Sequence, residues 1–269
     1  MITYPIKIAI IGALGKIGKI LIKEIKKNTS LLLTAAIVKK IPHDFQNKII
    51  NKKIFFQIKD IVLTSLKNAD FDVAIDFSNP VSTIKNLKIC VKKNKKIIIG
   101  TTGFNQLQQE KINDSAKKIG IVQSSNFSTG INLIYKLLEI TTSILGNNSD
   151  IEIIDSHHRN KIDSPSGTAL SLGSVISQTM NINLNKNSIY RKKEITKKRE
   201  KNKIGFSIIR AGNIIGEHTV MFANSNESIE ITHKAMNRTP FVLGAIESAK
   251  WIHQKNKTGL YNMRDILKI

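Results

Sequence analysis

The sequence contains a single cysteine, Cys90, in 269 residues. One thiol cannot form an internal disulfide framework or a cysteine-based zinc cluster. Cys90 sits in the helix-like run STIKNLKICVKKN and reads as buried packing. No apolar run approaches the roughly 18 residues of a membrane-spanning helix. The opening MITYPIKIAIIG lacks a basic leader, an apolar core and a small-residue cleavage site, and passes straight into a strand pattern. The expectation is a cytoplasmic chain with no membrane partner. Acidic residues are also scarce: 20 Asp and Glu against 42 Lys and Arg leave a formal charge of +22. Such an excess is one mark of nucleic-acid binding. Here, however, the lysines spread from Lys7 to Lys268 in a chain crowded with Ile and Asn, the pattern of a biased genome. The densest patch, RKKEITKKREKNK (Arg191 to Lys203), has no interleaved aromatics, which argues against a base-stacking platform. It reads as a solvated loop or as a loop near an anionic site, and no specific nucleic-acid partner is expected.

What the chain does have is alternation of strands and helices. IKIAII, LLLTAAIV, FDVAIDF, KKIIIGTTG and IGIVQSS are short apolar strands. Helical runs separate most of them, which predicts βαβ units and a doubly wound, Rossmann-like parallel sheet. The character changes after Phe127. A long helix (TGINLIYKLLEITTSILG) leads to the strand IEIID and a helix from about Ser166 to Met180. Strand segments IGFSIIRAGNIIGEHTVMFAN and ESIEITHKAM follow, then a late helix from Thr239 to Lys255 and a short tail. These predict an α+β domain with an open, mixed or antiparallel sheet. The expected division is a dinucleotide-binding domain over 1–127 and a second domain over 128–239.

Gly12, Gly15 and Gly18 form G-x-x-G-x-x-G between the first strand and its helix, one place off the usual dinucleotide fingerprint. Tight turning, close approach to a pyrophosphate and close helix packing are the same demands, although glycines also serve ordinary turns. An NAD site places Asp or Glu near the end of the second strand. Here Val38, Lys39 and Lys40 stand in that region, so NADPH is expected over NADH, with NADH possible. Gly100, Thr101 and Thr102 end the fourth strand, where open α/β sheets bind ligands. Ser124 and Ser125 end the fifth, with Phe127 expected to wall a nicotinamide ring; capped turns would explain the same residues without a ligand.

The most distinctive stretch is HHRNKIDSPSGTA, His157 to Ala169. Adjacent histidines in a strand face opposite ways, so His157 and His158 need not share a role. No metal site is expected, since neither the spacing nor an H-E-x-x-H motif supports one. An imidazole can donate a proton, Lys161 adds a cation, and Ser166, Gly167 and Thr168 open a helix whose N–H groups suit a carboxylate or phosphate. Otherwise Ser166 would simply cap that helix.

This stretch, with GALGKIG, VAIDFSNP, IIIGTTGF, SSNFSTGIN, RAGNIIGEHTVMF, EITHKA and GLYNMRDIL, resembles the 4-hydroxy-tetrahydrodipicolinate reductase (dihydrodipicolinate reductase) family over nearly the full chain. The resemblance implies a homotetramer whose last segment, 240–269, returns to the nucleotide domain, leaving 128–239 for substrate binding and oligomerisation. It implies NAD(P)H-dependent reduction of a small cyclic dicarboxylate with loss of water, in lysine and diaminopimelate biosynthesis. By resemblance His157 is the general acid and Lys161 its partner at the substrate, while His158, Ser166, Gly167 and Thr168 bind substrate carboxylate. Lys16 and Ile17 stand beside the cofactor, as does Arg238. Two departures stand out. Val38 replaces an acidic residue found in some members, and ITKKREKNK replaces glycines before IGF.

Overall fold

The computed structural model describes residues 4–38, 65–190, 198–255 and 257–269. The chain divides into two compact units, Met1–Ser128 with Thr239–Lys268, and Thr129–Arg238 with Ile269. No helix among the described residues is long and apolar enough to cross a membrane.

The first unit is built on a six-stranded sheet. Its strands are β1 (Ile6–Ile11), β2 (Leu31–Ile37), β3 (Val73–Asp76), β4 (Lys96–Ile99), β5 (Gly120–Gln123) and β11 (Gly259–Tyr261). Their order is β11-β5-β4-β3-β1-β2, and every pairing is parallel. This is the doubly wound sheet expected from the alternating pattern. The continuous apolar runs have a simple cause: alternate residues face opposite ways, and both faces are covered. Ile8, Ile10, Ile75 and Ile98 pack with Leu21 and Ile25 of helix Lys16–Lys26 and with Val242, Ala245 and Ala249 of helix Thr239–Gln254. Ala9, Ile11, Ala74 and Ile97 pack on the other side with Leu87 and Cys90 of helix Pro80–Lys92 and Ile112 of helix Gln106–Ala116. Each buried Ile or Leu contributes about 1.5–3 kcal/mol. Cys90 is fully buried, as expected, and burial pushes its thiol up to about 12. The tail supplies the edge strand β11, which pairs with β5 from Gly259↔Gly120 to Tyr261↔Val122.

The second unit has a five-stranded mixed sheet. Its members are β6 (Asp150–His157), β7 (Ser188–Ile189), β8 (Ile204–Arg210), β9 (Glu217–Ala223) and β10 (Ser228–Lys234), in the order β10-β9-β6-β8-β7. β6 runs parallel to β8 and antiparallel to β9. Helices Thr129–Leu145 and Gly167–Thr179 cover one face, through Ile131, Leu138, Leu172 and Ile176 against Ile151, Ile153, Phe206, Val220 and Phe222. Of the basic patch, 191–197 lies outside the described residues. Arg199 is not a solvated charge: its guanidinium pairs with Glu152 at 2.7 Å and Asp150 at 3.3 Å and donates to the Ile151 carbonyl, fastening this segment to β6.

Candidate active site

In the first unit, β1 ends at Ile11 and the chain turns through Gly12–Gly15 into helix Lys16–Lys26. Gly12 has φ +80°, and a Cβ there would lie 2.6 Å from the Phe77 carbonyl oxygen. Left-handed backbone and lack of space both require glycine. A Cβ on Gly18 would meet the Gly12 carbonyl and Ala13, so the helix rides close on the turn. Gly15 caps the helix without a side chain, and its first turn holds no acidic residue. The helix's own first turn therefore sets no carboxylate against its leading N–H groups and the positive end of its dipole.

Two adjoining cavities follow this turn. One of about 770 Å³ is lined by Gly12, Gly15, Val38, Phe77, Lys85 and Asn86, among others. The next, of about 380 Å³, is lined by Gly15, Lys16, Ile17, Gly100, Thr101 and Thr102, with Phe77 shared. They form a groove across the carboxyl ends of the parallel strands, with Val38 and Lys85 towards one end and the Gly100–Thr102 turn towards the other. An open N-terminal helix turn with no Cβ in the way fits a dinucleotide pyrophosphate. Beneath it, fully buried Asp76 accepts from the Ser78 N–H at 2.9 Å and the Ser78 hydroxyl at 2.6 Å, and lies 3.3 Å from Thr101 Oγ1. Burial pushes its carboxyl up to about 6, despite these hydrogen bonds.

The second unit gathers a different chemistry at the end of β6. Period-two alternation carries the inner face from Ile151 and Ile153 to Asp155 and His157. Strand register then adds neighbours: Asp155 lies opposite His218 of β9, and His157 opposite Arg210 of β8. Asp155 is fully buried. Its Oδ1 receives the Ser166 hydroxyl at 2.8 Å and lies 2.9 Å from His157 Nδ1 and 3.2 Å from His218 Nε2. Its Oδ2 accepts from the Ser166 N–H at 2.8 Å and from Arg210 Nη2 at 3.0 Å. The His157 N–H is not aimed along the line to Asp155, so this is an ion-pair distance rather than an aligned hydrogen bond. Burial alone would raise the Asp155 pKa, but the close approach of the His157 and His218 ring nitrogens and the two hydrogen bonds from Ser166 outweigh it and hold the carboxyl well below the usual range. The His157 and His218 rings meet edge to face, with centroids 5.1 Å apart. A Cβ on Gly216 would stand 3.1 Å from His157 Nε2, so glycine at that position keeps the second ring nitrogen uncrowded. Asp155, His157 and His218 offer ligand atoms within 4.8 Å of one another. The Arg210 guanidinium on the same carboxylate nevertheless opposes a bound cation.

Residues 6–127 match the family model described as Dihydrodipicolinate reductase, N-terminus, and residues 130–267 match Dihydrodipicolinate reductase, C-terminus. The chain belongs to the dihydrodipicolinate reductase family. Among its relatives, 4-hydroxy-tetrahydrodipicolinate reductase of Buchnera aphidicola subsp. Schizaphis graminum is 55% identical, covering 97% of each chain. The protein of that name from Buchnera aphidicola subsp. Acyrthosiphon pisum (strain Tuc7) is 50% identical, covering 98% of each. The solved structure of dipicolinate-bound dihydrodipicolinate reductase from Paenisporosarcina sp. TG-14 superposes with a TM-score of 0.76 at 23% identity, over 96% of this chain and 97% of that one. Apo scyllo-inositol dehydrogenase from Lactobacillus casei does so with 0.61 at 13% identity, over 100% and 94%. Both likenesses are of fold.

In this family member the positions singled out in the sequence fall into three groups. Gly12, Gly15, Gly18, Lys16, Ile17, Gly100, Thr101 and Thr102 cluster at the glycine turn and along the groove. Lys39 lies outside the described residues. His157 and Ser166 are joined through Asp155, and Gly167 opens the helix with nothing within 4 Å of a Cβ built on it. Thr168 follows it in the first turn, and His158 is half-buried. The rest, and the Ser166 side chain itself, are placed as follows. Lys161 Nζ is 2.7 Å from Asp163 Oδ1. The Ser166 hydroxyl is buried as the helix cap, accepting from the Ala169 N–H. Phe127, expected to wall the ring, is 1% exposed; Phe77, edge to face with it at 5.8 Å, is the aromatic that lines the groove. Ser124 hydrogen-bonds within its own turn, to the Asn126 carbonyl, and Ser125 is exposed. Arg238 is half-buried just before helix Thr239–Gln254, at the end of the second unit. Sequence reading passed over Asp155, His218, Arg210 and Lys85. A carboxylate two places before a histidine in an apolar strand is the signal that Asp155 offered.

Proposed function

We propose that the glycine-turn groove holds the nicotinamide cofactor and that the His157 cluster with the Gly167 helix start holds the substrate and its proton. The chain is an NAD(P)H-dependent oxidoreductase of the dihydrodipicolinate reductase type. It reduces 4-hydroxy-tetrahydrodipicolinate to tetrahydrodipicolinate with release of water, a step of lysine and diaminopimelate biosynthesis. The observation that carries the site assignment is His157, held beside a charged, buried Asp155 next to an open helix N-terminus. NAD(P)H, when bound, supplies the hydride. Gly12 and Gly15 with the first turn of helix Lys16–Lys26 hold the pyrophosphate, and Phe77 and the Gly100–Thr102 turn border the nicotinamide end. In the second unit Gly167 and Thr168 receive one substrate carboxylate on backbone N–H groups, and His158 and Lys161 add donors. His157 Nε2, uncrowded beside Gly216, delivers a proton to the substrate ring.

Three finer readings belong to the same proposal. NADPH is the preferred cofactor, because Val38 and Lys85 line the groove and no carboxylate does so among the described residues. Lys39, and Arg238 by resemblance, contribute to nucleotide binding. The assembly is a homotetramer. In support, among the described residues helices cover one face of the second sheet, and the opposite face carries Ile209, 45% exposed, and half-buried Ile154 and Met221.

The experiment is steady-state NADPH oxidation with freshly generated heterocyclic substrate, on the wild-type protein and on His157→Gln. The expected result is turnover by the wild type and a fall in kcat of roughly 10²-fold in the variant, the scale of lost general acid catalysis. Wild-type turnover by His157→Gln would remove the histidine from the proton step.

A further inference from the structure

We propose that Asp155 is a positioning residue for the reaction, a single buried carboxylate that fixes the proton donor and the anion-binding helix start relative to one another. This rests on the reading of His157 as proton donor. Asp155 touches both parts through its two carboxylate oxygens. His218 also reaches both, its ring against His157 and its Nε2 3.2 Å from the Ser166 hydroxyl, but it bonds only the Ser166 side chain and not its backbone N–H. Oδ1 lies 2.9 Å from His157 Nδ1 and receives the Ser166 hydroxyl at 2.8 Å, while Oδ2 receives the Ser166 backbone N–H at 2.8 Å. Ser166 is the cap of helix Gly167–Thr179, so its position sets that of the Gly167 and Thr168 N–H groups. A shift of about 1 Å in such an arrangement costs roughly 10²-fold in rate.

The carboxylate is itself pinned. Arg210 Nη2 holds Oδ2 at 3.0 Å and Arg210 Nη1 donates to the Asp155 carbonyl, also at 3.0 Å; His218 Nε2 approaches Oδ1 from β9 at 3.2 Å. Three strands and a helix start therefore converge on one side chain that nothing in the reaction needs to touch. With Nδ1 facing Asp155, the neutral ring carries its proton on Nδ1 and leaves Nε2 to exchange protons with the substrate. The His157 N–H is bent away from Oδ1 in the ligand-free arrangement. Catalytic hydrogen bonds commonly straighten only when the substrate is bound.

The test is a double-mutant cycle of Asp155→Asn and His157→Gln, reading kcat, substrate KM and NADPH affinity, with ring ¹⁵N shifts of His157 in the wild-type protein. Asp155→Asn should lower kcat by roughly 10–10²-fold, raise KM through the displaced Ser166 turn, and leave NADPH affinity within about 2-fold. In the His157→Gln background the same change should alter kcat by no more than about 3-fold, since residues acting as one unit are not additive. Equal losses of kcat in both backgrounds would make Asp155 a structural residue and overturn the proposal. A wild-type kcat for His157→Gln would instead overturn the reading on which it rests. Should Asp155→Asn not fold, the wild-type spectrum decides: a neutral His157 protonated on Nδ1 supports the proposal, and one protonated on Nε2 overturns it.

Discussion

Lys161 Nζ stands 2.7 Å from Asp163 Oδ1 and 2.8 Å from Oδ2, a bidentate approach to a neighbour two residues along. The lysine side chain is 20% exposed and the aspartate 59%. For Lys161 to take a substrate carboxylate it must give up, or share, Asp163. That makes the pair a competition between two carboxylates for one ammonium. Exposed ion pairs are worth about 0.2–1 kcal/mol, so Asp163 is a weak competitor. Asp163→Asn should lower substrate KM by about 2–5-fold with kcat unchanged. Lys161→Ala should lower kcat/KM by roughly 10²-fold or more. A higher KM in Asp163→Asn would mean that Asp163 orients the lysine and does not compete for it.

Lys85 gives the cofactor preference a definite test. It lines the same cavity as Val38 and Gly12. A charge-assisted contact to a 2′-phosphate is worth about 1.5–3 kcal/mol. Lys85→Glu should therefore reduce the ratio of kcat/KM for NADPH over NADH by roughly 10-fold or more, mainly through NADPH. Lys39→Glu should move the ratio the same way. An unchanged ratio in both variants would place the 2′-phosphate elsewhere.

Much of this could be read without coordinates because it is local. The βαβ alternation, the glycine turn after β1 and the Ser166 cap each need only a few consecutive residues. Three features were hidden because they are not local. β11 is three residues long, too short to show a period, and its place beside β5 follows from the preceding helix packing on the sheet. Asp155 meets His218 and Arg210 only through the registers of β6 with β9 and β8. Phe77 replaces Phe127 at the groove because Phe127 fills the core beneath it. Sequence spacing gives the residue types of a site, whereas strand register decides which of them touch.

Gly216 offers a steric test of which histidine nitrogen works. A Cβ there would be 3.1 Å from Nε2, too close unless the ring moves by a few tenths of an ångström. Gly216→Val adds two methyl groups beyond that point. The expected result is a fall in kcat of about 10-fold or more, with NADPH affinity unchanged. Normal turnover by a folded Gly216→Val protein would show that the proton does not pass through Nε2 on that side.

Asp76 predicts how stability changes with pH. Its carboxyl is pushed from 3.8 up to about 6 in the folded protein, first by burial and against hydrogen bonds from Ser78, Thr83 and Thr101. One carboxylate oxygen, Oδ2, has no partner. A raised folded-state value means that the folded protein holds this proton more tightly than the unfolded chain does. Below about pH 4 the group is protonated in both states and folding carries no charge penalty. As pH rises through about 6 the folded state must bury a carboxylate, and stability is lost; above that the loss is constant. A shift of roughly two units corresponds to about 3 kcal/mol. Asp155 acts in the opposite sense, because its depressed value stabilises the fold at neutral pH and that stabilisation is lost only in acid. Comparison with Asp76→Asn removes Asp155 and every other shared group from the difference. Asn keeps an oxygen for the Ser78 donors and has no charge to bury. Urea unfolding of both proteins should show the wild type losing up to about 3 kcal/mol relative to Asp76→Asn between about pH 4 and pH 7. Parallel stability curves over that range would mean that Asp76 titrates alike in the folded and unfolded chain.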